Sequence, residues 1–148
     1  MQKENKLDLI ARLFKSPHLF LACGFGVGLI RPGPGTWGTL IAFPIHHALS
    51  PFFSQYALLV FWTGMFFLGI AVCTSSEKVL GESDHSAIVI DEFVAFGVIL
   101  AFIPGHFYLH ILAFVLFRIF DIVKPFGIRQ IDQRVKGGLG VMLDDLFE

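Results

Sequence analysis

The charges in this chain are confined to three blocks. No Asp, Glu, Lys or Arg lies between Arg31 and Glu77, and none lies between Glu92 and Arg118. Every strongly charged side chain therefore falls within residues 3–31, 77–92 or 118–148. Long uncharged apolar stretches prefer lipid to water. If each stretch crosses a membrane and returns, all three charged blocks emerge on one face. Composition agrees: 55% of residues are hydrophobic and 16% charged, against about 25% charged in a typical soluble domain. The expected fold is all-α, a polytopic membrane helical bundle forming a single domain over residues 1–148.

The net charge of −1 names no partner, and neither nucleic acid nor a protein partner is legible. Cys23 and Cys73 form neither a CxxC pair nor a disulfide framework. The N-terminal segment mixes acids with bases and has periodic rather than continuous apolar residues, unlike a cleavable signal peptide.

Residues 1–17 read as a short amphipathic helix, ended by Pro17. Leu7, Ile10, Ala11 and Phe14 share one face, and basic residues fill the rest. It either lies in the headgroup region or packs on the domain. Residues 23–39 are rich in glycine and proline and read as irregular backbone at the membrane boundary. Four membrane segments follow, at 40–53, 56–75, 86–103 and 107–123, with turns near Ser50-Pro51 and Pro104-Gly105 and a polar loop at 76–87. Basic residues flank the bundle at both chain ends and are missing from the turns at 50–55 and 104–106. The positive-inside rule thus puts both termini and the 76–87 loop in the cytoplasm.

The second hairpin pivots near residue 105, so positions equally far from it share one depth. Asp91 and Glu92 then sit level with Arg118 and close to Asp121. Arg118, Asp121 and Lys124 fall at i, i+3, i+6 on one helix face. Charges so near hydrocarbon are costly and usually mark function, although ion pairs joining two helices are the plainer alternative. Neighbours on a helix lie about 100° apart, so Asp91 and Glu92 do not both face Arg118. A metal ion is the natural partner for the other. Asp84, Asp132, Asp144 and Asp145 add carboxylates on the same side, and such a cluster calls for a neutralising cation. Oxygen-only ligands favour Mg²⁺ over Zn²⁺. His85 follows Asp84 and is placed for proton transfer. His106 and His110, at i, i+4 on the far side, and the His46-His47 pair have the residue type for a metal site, but polar residues at helix ends explain them as well.

Four segments together resemble the bacterial phosphatidylglycerophosphatase A family. Arg31-Pro32-Gly33-Pro34-Gly35-Thr36-Trp37-Gly38-Thr39 is similar to its Pro-Gly-Thr-x-Gly-Ser/Thr loop, and the run from Asp84 to Glu92 to its acidic helix entry. Phe117-Arg118-Ile119-Phe120-Asp121-Ile122-Val123-Lys124-Pro125 matches its Phe-Arg-x-x-Asp-x-x-Lys-Pro element, and Lys136-Gly137-Gly138-Leu139-Gly140-Val141-Met142-Leu143-Asp144-Asp145 its closing motif. The resemblance implies a Mg²⁺-dependent phosphatase of the bacterial inner membrane, its site facing the cytoplasm. Its substrate would be a membrane phospholipid, phosphatidylglycerophosphate, hydrolysed to phosphatidylglycerol and phosphate. Asp91, Glu92, Asp121, Asp144 and Asp145 are the expected metal ligands. Thr36, Arg118, Lys124 and Lys136 are expected to bind phosphate, with Asp84 or His85 as base or water-orienting group. The family pattern continues past the Asp-Asp pair with an Ala-Gly step and another apolar helix, where this sequence reads Leu146-Phe147-Glu148.

Other chemistries lack their residues. A cysteine phosphatase needs Arg six residues after Cys, but Leu29 and Val79 stand there. There is no DxDxT, no Walker A and no DGxxAR pattern, and Gly24-Phe25-Gly26-Val27-Gly28 has no βαβ unit around it. Two alternatives remain: a noncatalytic assembly protein, and a small transporter or ion-conducting subunit with a carboxylate cluster at the cytoplasmic face. The transporter reading expects acids spread through the membrane depth, whereas here they crowd one end.

Overall fold

A computed structural model describes residues 6–81, 85–103, 105–123 and 137–146. Among these the chain forms seven α-helices and one 3₁₀ turn, with no strand. They are α1 (Lys6–Lys15), α2 (Pro17–Ala22), the 3₁₀ turn (Val27–Leu29), α3 (Pro34–Leu49), α4 (Gln55–Leu80), α5 (Ile90–Phe102), α6 (Phe107–Val123) and α7 (Gly138–Leu146). The all-helical class is as the sequence predicts.

Helix α5 is the centre of the molecule. Its residues are apolar on every side except at Asp91 and Glu92, and a helix hydrophobic all round belongs in a core. Ile90, Phe93, Val94, Ala95, Phe96, Leu100 and Ala101 are all buried, and α3, α4, α6 and α7 pack around them. Gly97 sets how closely α4 approaches: a Cβ there would lie 2.3 Å from the Trp62 indole. Trp62 itself is fully buried.

Several expected boundaries move. The 40–53 segment is helical from Pro34, within the stretch read as irregular backbone, and stops at Leu49. Pro34 at the first helical position has its φ preset for a helix and loses no hydrogen bond there, while Gly33 turns the chain with φ 71°. The 56–75 segment runs on to Leu80, through residues read as polar loop, until Gly81 closes it at φ 76°. At its start the Ser54 hydroxyl accepts from the Ala57 N–H at 3.3 Å. The 86–103 segment becomes helical only at Ile90; Val89 stands before it in a non-helical conformation, and its N–H bonds the carbonyl of Ala22 at 2.9 Å. Pro17 ends α1 and also opens α2.

The buried face of α1 also differs from the expected one. Leu9 and Leu13 enter the core, whereas Phe14 is 76% exposed. Arg12 donates to the Val79 carbonyl at 3.3 Å, so α1 packs on the domain at the end of α4.

Only α4, among the described residues, is long and apolar enough to cross a membrane by length and composition. The 16 residues of α3, 13 of α5 and 17 of α6 rise about 1.5 Å each, short of the roughly 30 Å hydrocarbon core. Four complete spans are therefore not seen among the described residues. The outer surface is nonetheless strongly apolar, with Val60, Phe67, Phe107, Tyr108, Leu112 and Ile122 among its exposed side chains.

Candidate active site

Three helix ends converge on one guanidinium. Asp91 and Glu92 occupy the first turn of α5, where the helix dipole favours negative charge. Arg118 and Asp121 stand one turn apart near the end of α6. Gly35, Thr36 and Thr39 lie in the opening turns of α3. Arg118 Nη1 donates to Glu92 Oε2 at 3.3 Å and to Thr39 Oγ1 at 3.4 Å, and forms an ion pair with Asp121. Arg118, Glu92 and Asp121 side chains are only 13%, 17% and 14% exposed. The hairpin geometry thus assigned Glu92 and Arg118 the shared depth they have.

All three acceptors meet the same nitrogen. Arg118 Nε is buried and has no hydrogen-bond partner among the described residues. A guanidinium carries five donors in a flat fork suited to gripping carboxylate or phosphate with two of them. Leaving a buried N–H unbonded costs about 1–3 kcal/mol, so this donor calls for a water, an ion or a ligand to satisfy it.

Glu92 is steered by what lies under it. A Cβ on Gly35 would fall 2.1 Å from Glu92 Oε1, so the carboxylate rests on the first turn of α3 in a space only glycine leaves. Asp91, one position earlier, is turned away from Glu92 by the helical rotation and is buried at 9% exposure. His85 Nδ1 accepts from the Ala87 N–H at 3.1 Å. Thr36 is half-buried beside Gly35.

Among the expected site residues, Glu92, Arg118 and Asp121 are thus joined directly, and Thr36 lies on the helix that carries their Gly35 and Thr39 neighbours. Asp84, Lys124 and Lys136 lie outside the described residues, as do the side chains of Asp144 and Asp145, which fall on α7. Gly35 and Thr39 belong to the Pro-Gly-Thr-x-Gly-Ser/Thr resemblance but were given no role from the sequence. They are spaced i, i+4 and share a helix face, a signal lost when this stretch is taken as loop.

Asp91, Glu92 and Asp121 offer only carboxylate oxygen, which suits a hard divalent cation in donor chemistry. Here the positive charge between Glu92 and Asp121 is Arg118. Among the described residues no group of three or more His, Cys, Asp or Glu is set to hold a metal ion. The cysteines add no nucleophile: both are buried, and burial pushes the Cys23 thiol up to about 12.

The far histidines pair differently from their sequence spacing. His110 Nδ1 faces His47 Nε2 at 3.5 Å, and Trp62 Nε1 donates to His46 Nδ1 at 3.4 Å. His106 instead stacks on Tyr108, with ring centroids 5.6 Å apart.

A largely buried arginine held between two carboxylates at converging ends of apolar helices is thus the charged centre of this all-α protein. The sequence model of phosphatidylglycerophosphatase A matches residues 20–148. A protein of that name from Haemophilus influenzae is 42% identical over 99% of this chain and 90% of its own length. One from Escherichia coli is 39% identical over 88% of this chain and 76% of its own. A Bacteroides thetaiotaomicron protein provisionally named phosphatidylinositol-3-phosphatase is 41% identical, covering 87% of this chain and 84% of its own. No solved structure matches. The chain belongs to the phosphatidylglycerophosphatase A family.

Proposed function

We propose that the chain hydrolyses the terminal phosphomonoester of phosphatidylglycerophosphate at a membrane face, with Mg²⁺. The family supports the phosphatase activity, and the observation that carries the site is the spare, buried Nε–H of Arg118. In the reaction a water oxygen forms a new bond to phosphorus, the ester P–O bond breaks, and the glycerol oxygen leaves with a proton. Arg118 holds two phosphate oxygens through its unused edge. The Thr36 hydroxyl donates to the phosphate, and Lys124 and Lys136 add point charges. Asp91, Glu92 and Asp121, with Asp144 and Asp145, are the candidate ligands of Mg²⁺, which when bound neutralises phosphate charge and lowers the pKa of a coordinated water. His85 is better suited to orient than to abstract. With Nδ1 accepting from Ala87, the neutral ring carries its proton on Nε2 and donates there. Asp84 is then the better candidate base.

In this reading all four apolar segments sit in the inner membrane, with the site on the cytoplasmic side. The exposed apolar surface of α4 and α6 supports it, and so do the basic flanks.

The test is phosphate release by purified protein from phosphatidylglycerophosphate, phosphatidylinositol 3-phosphate and a soluble phosphomonoester, each with Mg²⁺ and with EDTA. Release from the first lipid, abolished by EDTA and restored by Mg²⁺, is expected. Full activity in EDTA would remove the metal from the scheme. Preference for the inositol lipid would change the substrate. Ion flux in liposomes without lipid turnover would favour the transporter alternative.

A further inference from the structure

We propose that Thr39 is a positioning residue that orients the phosphate-gripping edge of Arg118. The proposal rests on the reading of Arg118 given above. Thr39 is fully buried, and its Oγ1 donates to the Gly35 carbonyl at 2.9 Å. A hydroxyl has one proton. With that proton committed to Gly35, the oxygen meets Arg118 only as an acceptor, and Arg118 Nη1 donates to it at 3.4 Å. Its orientation is thus fixed by the backbone of α3 rather than by the ligand.

The guanidinium has little else of this kind to hold it. Around Arg118 on α6, Phe117 is buried, but Ile119, Phe120, Ile122 and Val123 point outward, so apolar packing defines this part of the helix weakly. The other two contacts, Glu92 and Asp121, are carboxylates that a divalent cation would compete for. Thr39 is the neutral contact that survives such competition. Among the described residues it is also one of two polar clasps between α3 and α6. The second is His47 with His110, eight residues further along α3 and eight back along α6, or about 12 Å away. Two clasps at that separation fix the register of an antiparallel pair, and the Thr39 clasp lies at the site.

Thr39→Val keeps the shape and removes the acceptor. It is expected to lower kcat/KM about tenfold, the scale of one hydrogen bond to a charged group. The loss should appear as a higher KM and weaker inhibition by inorganic phosphate, with the Mg²⁺ activation curve unchanged. Thr39→Ser should recover activity to within about twofold, since it restores the hydroxyl. In an Arg118→Lys background, Thr39→Val should add little. Wild-type KM and phosphate inhibition in Thr39→Val would overturn the proposal. So would Thr39→Ser failing as badly as Thr39→Val with an equally lowered thermal midpoint, since that is the mark of packing alone. If Thr39→Val does not fold, Thr39→Ala is judged on the same criteria. Wild-type kinetics in Arg118→Lys would instead sink the Arg118 reading itself, whereas a crippled Arg118→Lys beside a normal Thr39→Val would sink only the role of Thr39.

Discussion

Gly35 shows how much of the site is decided by a missing side chain. The Glu92 carboxylate fills the place a Cβ would take, and from there it reaches Arg118. The clashing atoms are the far end of a flexible side chain, so Gly35→Ala should fold while displacing Glu92. Losing that charge-assisted bond is worth about 1.5–3 kcal/mol. A fall in kcat/KM of roughly ten- to a hundredfold in protein that still folds, with a thermal midpoint lowered by only several degrees, is therefore expected. Undiminished activity would show that the seat of Glu92 does not matter to the chemistry. That Asp91 or Glu92 would meet Arg118 was legible in the sequence, because a hairpin pivot fixes depth, but which of the two it would be was not. The seat on Gly35 was not legible either, because it depends on a third helix far away in the chain.

At the scale of elements, the most extensive joint among the described residues is between α4 and α5. Gly97→Ala would put a methyl into the Trp62 indole, and neither helix can step back easily because α3, α6 and α7 also pack on α5. Overpacking of this kind costs about 1–3 kcal/mol. A lowered thermal midpoint in detergent should report it, and a companion Trp62→Phe should recover part of the loss. Equal stability of Gly97→Ala and the parent would mean that α4 and α5 stand further apart than described. Element boundaries were less legible than element existence. The expected 107–123 segment coincides with α6, whereas α3 begins inside a stretch whose glycines and prolines argued for loop. Helix propensity there is outweighed by burial, since Gly35, Gly38 and Thr39 all face the interior. The amphipathic face of α1 was misjudged for a related reason. Its apolar residues form one broad face opposite Asp8, Arg12 and Lys15, and only packing selects the Leu9 and Leu13 side of that face.

For the whole molecule, the proposed topology makes a definite prediction. Single cysteines introduced as Phe52→Cys and Gly105→Cys should react with an impermeant maleimide in intact cells. Glu82→Cys and Glu148→Cys should react only after permeabilisation. The native Cys23 and Cys73 are buried and should give little background. Labelling of Glu82→Cys from outside would scatter the proposed site across two faces. What the sequence determined alone is the segregation of charge. Two uncharged apolar stretches specify an all-helical chain whose acids and bases lie at helix ends, because burying an isolated charge costs more than any fold recovers. Only the tertiary structure decided which of those groups meet. Nη1 of Arg118 is shared by Glu92, Asp121 and Thr39 because α3, α5 and α6 end together. That convergence follows from interhelical packing around α5, which no local periodicity encodes.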